Sequence, residues 1–89
     1  MTKRKERHYI ENFCEFSVEL PWKEFVKILI NHYGCEMKSK RGAARLFIKG
    51  EIRFTAHEPH GREKNASIMD RKRACTYLIK PLKSQEVTP

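Results

Sequence analysis

The chain has 89 residues, which is enough for one domain with a single modest core and too few for two independent domains. Its 19 Lys and Arg against 11 Asp and Glu leave a net charge of +8, which favours a polyanionic partner such as nucleic acid, although the same excess could serve only solubility. No apolar run is long enough to span a membrane and no secretory signal is recognisable, so we expect a cytoplasmic protein without a membrane partner.

The first residues are mostly polar, and we expect residues 1–12 to form a basic N-terminal arm in solvent. The next segment alternates between apolar and polar side chains, with the period of two that is typical of a strand burying one face. Its apolar positions are Cys14, Phe16, Val18 and Leu20. This alternation predicts a short strand at about 13–19.

A helix is predicted to start at Pro21, because proline suits the first helical position, and to end near Gly34, a typical C-cap residue. Between them, apolar residues recur at intervals of three and four and give the helix one broad apolar face. These residues are Trp22, Phe25, Val26, Leu29 and Tyr33. Because Trp22 lies on this face, we expect it to belong to the core rather than to a platform on which bases stack.

Two runs at 43–48 and 51–57 are joined by Lys49 and Gly50, and a two-residue connection that contains glycine is typical of a β-hairpin. If Lys49 and Gly50 form the turn, Phe47 lies opposite Ile52. One face of the hairpin is then expected to pack on the helices. The residues of that face are Phe47, Ile52, Phe54 and Ala56.

The opposite face of the hairpin mixes polar and apolar side chains, as on the open side of a sheet. Its residues are Ala44, Leu46, Ile48, Arg53, Thr55 and His57. The register puts Ala44 opposite Thr55 and predicts that His57 points away from the core. Leu46 and Ile48 would prefer cover there, either from the strand at 13–19 or from a second subunit.

A second helix is predicted near the C-terminus. Asn65 or Ser67 can cap its start, it runs to about Ile79, and Pro81 is expected to stop it. Residues 83–89 are expected to be a disordered tail.

The cysteines Cys14, Cys35 and Cys75 are odd in number, far apart and never in a Cys-x-x-Cys spacing. This pattern predicts neither a disulfide framework nor a structural zinc site. Cysteines that stay as free thiols are typical of cytoplasmic proteins, because the cytoplasm is reducing.

The segment His57-Glu58-Pro59-His60 puts two imidazoles at the end of the second hairpin strand. Imidazole titrates near pH 6.5, so one ring can act as a base and the other as an acid at neutral pH without a metal. RNA suits this chemistry, because its 2′-hydroxyl can attack the neighbouring phosphate once that hydroxyl loses its proton and the leaving oxygen gains one. The pattern predicts a metal-independent ribonuclease without a cofactor, in which the assignment of base and acid stays open.

A structural role for these two histidines is the alternative. They could cap the end of the strand by hydrogen bonding to loop carbonyls, with Pro59 fixing the turn between them. A metal site is not predicted, because no third ligand lies at a recognisable spacing.

The order of a helix, three strands and a helix over residues 21–79, with a strand that starts at Gly42 and a His-x-Pro-His element that ends the next strand, resembles the HicA family of toxin–antitoxin systems. The resemblance implies a single α+β domain at 13–82 with the α-β-β-β-α fold of the double-stranded RNA-binding domain. In that fold two helices cover one face of a three-stranded antiparallel sheet, to which the segment at 13–19 would add a strand. The resemblance also implies metal-free cleavage of messenger RNA and neutralisation by a HicB-like antitoxin.

Familiar HicA toxins read Gly-Ser-His where this chain has Gly42, Ala43 and Ala44, so Ala44 stands in the place of their catalytic histidine. The chain is closer to a divergent branch that keeps the His-x-Pro-His element. Catalysis is therefore assigned to His57 and His60. The candidate RNA-binding cations are Lys40, Arg41, Arg45, Arg53, Arg62, Arg71 and Lys72. Arg45 falls on the other face of the sheet from His57, so Arg53 is the better partner for a scissile phosphate.

The missing histidine at Ala44 also favours a rival function, a degenerate relative that holds structured RNA without cutting it. A third reading is a protein-interaction domain, including a homodimer, that uses Leu46, Ile48 and the strand at 13–19.

Overall fold

The computed structural model describes residues 2–82 and shows an α+β chain with one three-stranded antiparallel sheet. Helix α1 spans Thr2–Glu11. Helix α2 spans Trp22–Lys27 and continues as a π-helical segment, Ile28–His32. Strands β1, β2 and β3 span Glu36–Ser39, Ala44–Lys49 and Ile52–His57. Helix α3 spans Ile68–Ala74 and continues as a second π-helical segment, Cys75–Ile79.

The strands lie in the order β1–β2–β3, and the helices pack on one face of the sheet. Phe47 and Phe54 point to that face with ring centroids 5.5 Å apart, and Phe47 meets Phe25 of α2 edge-on at 5.9 Å. The buried apolar residues of the core come from α2 and α3 with their π-helical extensions, from the sheet and from the segments between these elements. They are Phe13, Leu20, Phe25, Ile28, Leu29, Cys35, Phe47, Phe54, Ala56, Ala66, Ala74, Cys75, Leu78 and Ile79. The α+β class, the three-stranded antiparallel sheet and the core face of the hairpin are confirmed.

The predicted first helix forms, with Pro21 just before its first residue. The carbonyl oxygen of Pro21 accepts a hydrogen bond of 2.9 Å from the N–H of Phe25. At the other end Gly34 adopts a φ of 75°, the left-handed conformation in which a glycine ends a helix. Its N–H donates to Ile30 and the N–H of Cys35 donates to Leu29, so the last carbonyls of the helix are satisfied.

The hairpin turn consists of Gly50 and Glu51 rather than Lys49 and Gly50, so the predicted register was wrong. Gly50 has a φ of 61° and takes the first central position, where a type II′ turn requires glycine. Phe47 therefore pairs with Phe54, and Ala44 pairs with His57. Each pairing moves by two residues, so every side chain keeps its predicted face.

Residues 2–11 form a helix, which corrects the expectation of an arm over 1–12. Tyr9 and Ile10 pack against the core, because the helix turns one side towards it. The second helical region also extends beyond Ile79. Residues 80–82 remain helical, so Pro81 does not stop this helix, and the N–H of Lys80 donates to the carbonyl of Cys75 in the wider π-helical turn. The predicted tail at 83–89 lies outside the described residues.

The segment at 13–19 is a succession of turns and not a strand. The N–H of Glu15 donates to the carbonyl of Asn12, and that of Val18 donates to the carbonyl of Glu15. Several carbonyl oxygens of this segment accept hydrogen bonds from a buried arginine side chain. These carbonyls are therefore satisfied without hydrogen bonds from a neighbouring strand. This segment therefore adds no strand to the sheet, which corrects the strand predicted at 13–19.

A disulfide joins Cys14 to Cys75, whose Cα atoms are 5.9 Å apart, and it corrects the expectation that no disulfide forms. The two residues are 61 positions apart in sequence and meet only because the turns after α1 pack on α3. Cys35 is a free, buried thiol. No helix among residues 2–82 is both long enough and apolar enough to cross a membrane.

Candidate functional site

His57 is the last residue of β3 and lies on the open face of the sheet, directly opposite Ala44. The N–H of Glu58 donates to the carbonyl of Ala43 at 2.9 Å, so Ala44 and His57 form a non-hydrogen-bonded pair, in which Cα atoms approach to about 4.5 Å. The His57 side chain is exposed, and its ring has no hydrogen-bond partner among the described residues. The prediction that His57 points away from the core is confirmed.

The main chain of His57 is held by the first turn of α3. Its N–H donates to Oδ2 of Asp70 at 3.0 Å, and Asp70 is only 3% exposed. Ser67 is the N-cap of α3, and its Oγ accepts a hydrogen bond of 3.1 Å from the N–H of Asp70. Arg73 donates to Oδ1 of Asp70 and to the carbonyl of Thr55, each at 3.4 Å. These contacts attach α3 to the outer edge of β3.

Sequence reasoning proposed Ser67 as a cap but missed Asp70. The Ser-x-x-Asp spacing is a signal for a helix start, since an acidic residue in the first turn suits the helix dipole. Here the carboxylate reaches the main chain of β3 instead of the N–H of the cap residue.

Arg45 lies on the other side of the sheet from His57 and is engaged with the chain itself. Its Nη1 donates to the carbonyls of Gly42 and Ala44 at 2.9 Å each, and its Nη2 meets Oε1 of Glu58 at 3.1 Å. The guanidinium therefore joins the turn before β2 to the His-Glu-Pro-His segment. Three hydrogen bonds within the chain therefore use much of its bonding capacity.

His57 borders a groove of about 390 Å³ that lies between the turns at 16–20 and the start of α3. Much of its lining is apolar, from Phe16, Leu20, Pro59, Ala66 and Ile68. His60 is exposed and is not part of this lining. It begins a separate turn in which its carbonyl accepts from the N–H of Glu63 at 3.2 Å and Gly61 has a φ of 62°. The structure thus places His57 at a groove and His60 in an outer loop.

Most of the predicted RNA-binding cations are exposed. Arg53 shares the open face with His57 and lies four positions before it along β3. Lys40 and Arg41 lie in the tight turn before β2, where the N–H of Lys40 donates to the carbonyl of Ala44 at 2.9 Å. Arg62 is in the loop that follows His60, and Lys72 is on α3.

Arg71 is the exception, because it is only 2% exposed, and such burial does not fit its predicted role as an RNA contact. Its guanidinium donates five hydrogen bonds, of 2.6 to 3.2 Å, to carbonyl oxygens and lies 5.5 Å from the ring centroid of Phe16. The four carbonyls belong to Asn12, Phe13, Glu15 and Val18. Burial lowers the pKa of Arg71, and the nearby charge of Glu15 opposes that shift. This arginine organises the turns after α1.

Comparison with protein-family models, with curated proteins and with solved structures found no match to this chain. The described part of the chain also contains no group of three or more His, Cys, Asp or Glu side chains that could hold a metal ion.

Proposed function

We propose that the chain is a HicA-like toxin that cleaves messenger RNA without a metal ion and that is neutralised by a HicB-like antitoxin. The observation that carries the proposal is the position of His57. Its imidazole is exposed, lacks a partner in the described chain and faces the place where familiar HicA toxins have their histidine. The catalytic imidazole would then come from β3 instead of from β2, the adjacent strand that holds Ala44.

In this proposal the imidazole of His57 takes the proton of an RNA 2′-hydroxyl. The 2′-oxygen attacks the adjacent phosphorus, the bond from phosphorus to the 5′-oxygen breaks, and a protonated group delivers a proton to that leaving oxygen. Arg53, on the same face, would hold the phosphate through charge-assisted hydrogen bonds. His60 is the candidate acid on the loop; in the reverse assignment His60 is the base and His57 the acid.

The test is cleavage of a generic transcript in the presence of EDTA. The wild type should cut the RNA, whereas His57→Ala should lose cutting and keep nearly all of its RNA retention. His32→Ala is a matched control, since His32 is also exposed and lies at the end of the α2 region, in neither His57's groove nor the His60 loop. Equal cutting by wild type and His57→Ala would contradict the proposal. Growth arrest on expression, relieved by a neighbouring HicB-like gene product, would test the toxin role.

The second candidate function is RNA binding without cleavage. Two observations favour it, namely the methyl group of Ala44 in place of an imidazole and the location of His60 outside the groove at His57. A binding module would shift RNA in a gel with a steep dependence on salt and leave it intact. If neither cleavage nor retention occurs at low salt, the protein-interaction alternative is the one that survives.

A further inference from the structure

The two outer edges of the sheet differ in how they are covered. Along the outer edge of β3, the N–H of His57 is bonded by Asp70 and the carbonyl of Thr55 by Arg73. No main chain between residues 2 and 82 and no side chain between residues 6 and 82 makes such a contact with the outer edge of β1. An uncovered strand edge is a template for pairing with another strand.

The hydrogen bond from the N–H of Lys40 to the carbonyl of Ala44 shows which residues of β1 form main-chain hydrogen bonds with β2. Because the bonded residues of an antiparallel strand alternate, Glu36 and Lys38 also direct their N–H and C=O groups to β2. Met37 and Ser39 direct theirs outwards. Neither has a hydrogen-bond partner in the described chain, so the polar main-chain groups of both residues stand along this edge.

The side chains of β1 carry opposite charges on one face. Glu36 and Lys38 both lie on the open face, with side chains 68% and 60% exposed and their charged atoms 3.8 Å apart. If a second copy pairs antiparallel with β1 about a two-fold axis through Met37, Glu36 of each copy lies opposite Lys38 of the other. The same axis puts Met37 opposite its own copy as a hydrogen-bonded pair.

Other registers of this self-pairing are less favourable. Strand partners must share a face, so the axis can only move by whole residues. An axis through Lys38 sets two lysines against each other, and an axis through Glu36 sets two glutamates against each other, which is repulsive in both cases. Of these three registers, only the one centred on Met37 pairs Glu36 with Lys38 at both positions where charged side chains meet. It creates no pair of like charges.

We propose that the free edge of β1 is the homodimer interface of this protein and that Met37 lies on the two-fold axis. The two sheets then form one antiparallel sheet of six strands. Since paired residues share a face, the open faces of both copies lie on the same side. The two His57 side chains would be separated by about 24 Å across the strands, from the usual spacing of about 4.8 Å between neighbours.

Molecular mass measured by sedimentation equilibrium tests this proposal, which does not depend on RNA or on the function proposed above. Small interfaces dissociate at micromolar concentrations or higher, so the range to cover is about 10 µM to about 1 mM. The wild type should form a reversible dimer in this range. A wild type that stays monomeric throughout this range would overturn the proposal.

Charge reversal tests the register. Lys38→Glu and Glu36→Lys should each be monomeric, since each creates two like-charge pairs across the axis. An equimolar mixture of the two variants should restore the dimer as a heterodimer, because the two acidic side chains on β1 of one variant then face the two basic side chains on β1 of the other. The double variant that exchanges both charges should dimerise like the wild type.

General repulsion between basic chains predicts a different result. It would strengthen the dimer of Lys38→Glu, which lowers the net charge, and weaken only that of Glu36→Lys. Glu51→Lys in the hairpin turn and Lys80→Glu at the end of the α3 region make the same charge changes away from β1 and should leave the dimer unchanged. Single variants that still dimerise, or a mixture of two monomeric variants that fails to associate, would overturn the Met37 register. Circular dichroism confirms that each variant is folded, which is expected because both residues are exposed.

Discussion

The buried carboxylate of Asp70 accepts a hydrogen bond from the main-chain N–H of His57, and this contact sets the end of β3 against the first turn of α3. Replacing Asp70 with Ala removes the carboxylate acceptor. The N–H of His57 and the guanidinium of Arg73 then each lose a hydrogen bond. We expect a loss of about 1–3 kcal/mol in the free energy of unfolding, measured by urea denaturation. Asp70→Asn keeps a carbonyl oxygen at the same place and should lose less. Equal stability of Asp70→Ala and wild type would show that the contact contributes nothing.

Arg71 should matter for stability and not for RNA contact. Arg71→Lys keeps the charge but replaces a planar fork of five donors with a single ammonium group, which cannot reach all four carbonyls. We expect a loss of about 2–4 kcal/mol in unfolding free energy, since buried carbonyls lose their partners.

Arg53→Ala, on the open face, should cost little stability. It should instead lower the slope of RNA affinity against salt by about one.

The Cys14–Cys75 disulfide should add substantially to stability, because it closes a long loop in the unfolded chain. For a separation of 61 residues, the loss of unfolded-state entropy corresponds to about 4 kcal/mol. A dithiol reductant should therefore lower the melting temperature of the wild type clearly. It should have the same effect on Cys35→Ser, which keeps the disulfide, and none on the double variant Cys14→Ser, Cys75→Ser. Insensitivity of the wild type would mean that the two thiols are not joined in solution.

The buried thiol of Cys35 gives a pH dependence with a definite sign. Burial raises the pKa of Cys35 above its usual value near 9.0, while the charge of Lys49 lowers it and only partly offsets burial. At a pH above about 9 the unfolded state loses this proton before the folded state does. The unfolded state then binds fewer protons, so stability falls as the pH rises through that range.

Comparison with Cys35→Ala isolates this contribution, since the variant lacks the titrating group and should show a shallower loss of stability above about pH 9. Alkylation of Cys35 by iodoacetamide should be slow in the folded protein and fast in urea, because the thiolate is the reacting form. Lys49→Met should slow alkylation further, as the lowering influence on the pKa disappears. Rapid alkylation of the folded protein would contradict the buried position.

Sequence patterns predicted those parts of the fold that depend on residues close together in the chain. The spacing of Phe25 and Leu29 predicted the buried face of the α2 region, and Gly34 predicted its end, because both features depend on residues within one or two helical turns. The hairpin faces were predicted correctly for the same reason. The register was missed by two residues because the rule of a glycine-containing turn does not by itself say which of its positions the glycine takes.

Two further errors concern contacts between residues far apart in sequence. The alternation at 13–19 also fits a chain of turns whose carbonyls point inwards, and what satisfies those carbonyls is Arg71, more than 50 residues away. In the sequence Arg71 stands in a basic run and gives no sign of burial. The pairing of Cys14 with Cys75 depends on the same packing of the turns on α3. For the candidate site, the outward position of His57 was predictable from strand period, whereas its anchoring by Asp70 was not.

The covalent bond between Cys14 and Cys75 also decides how the molecule would respond to mechanical tension. A chain pulled by its two ends passes force from residue 14 to residue 75 directly through the sulfur atoms. All three strands, between Glu36 and His57, lie inside the bypassed loop and carry none of that force. In a stretching experiment they would extend only once the bond is reduced.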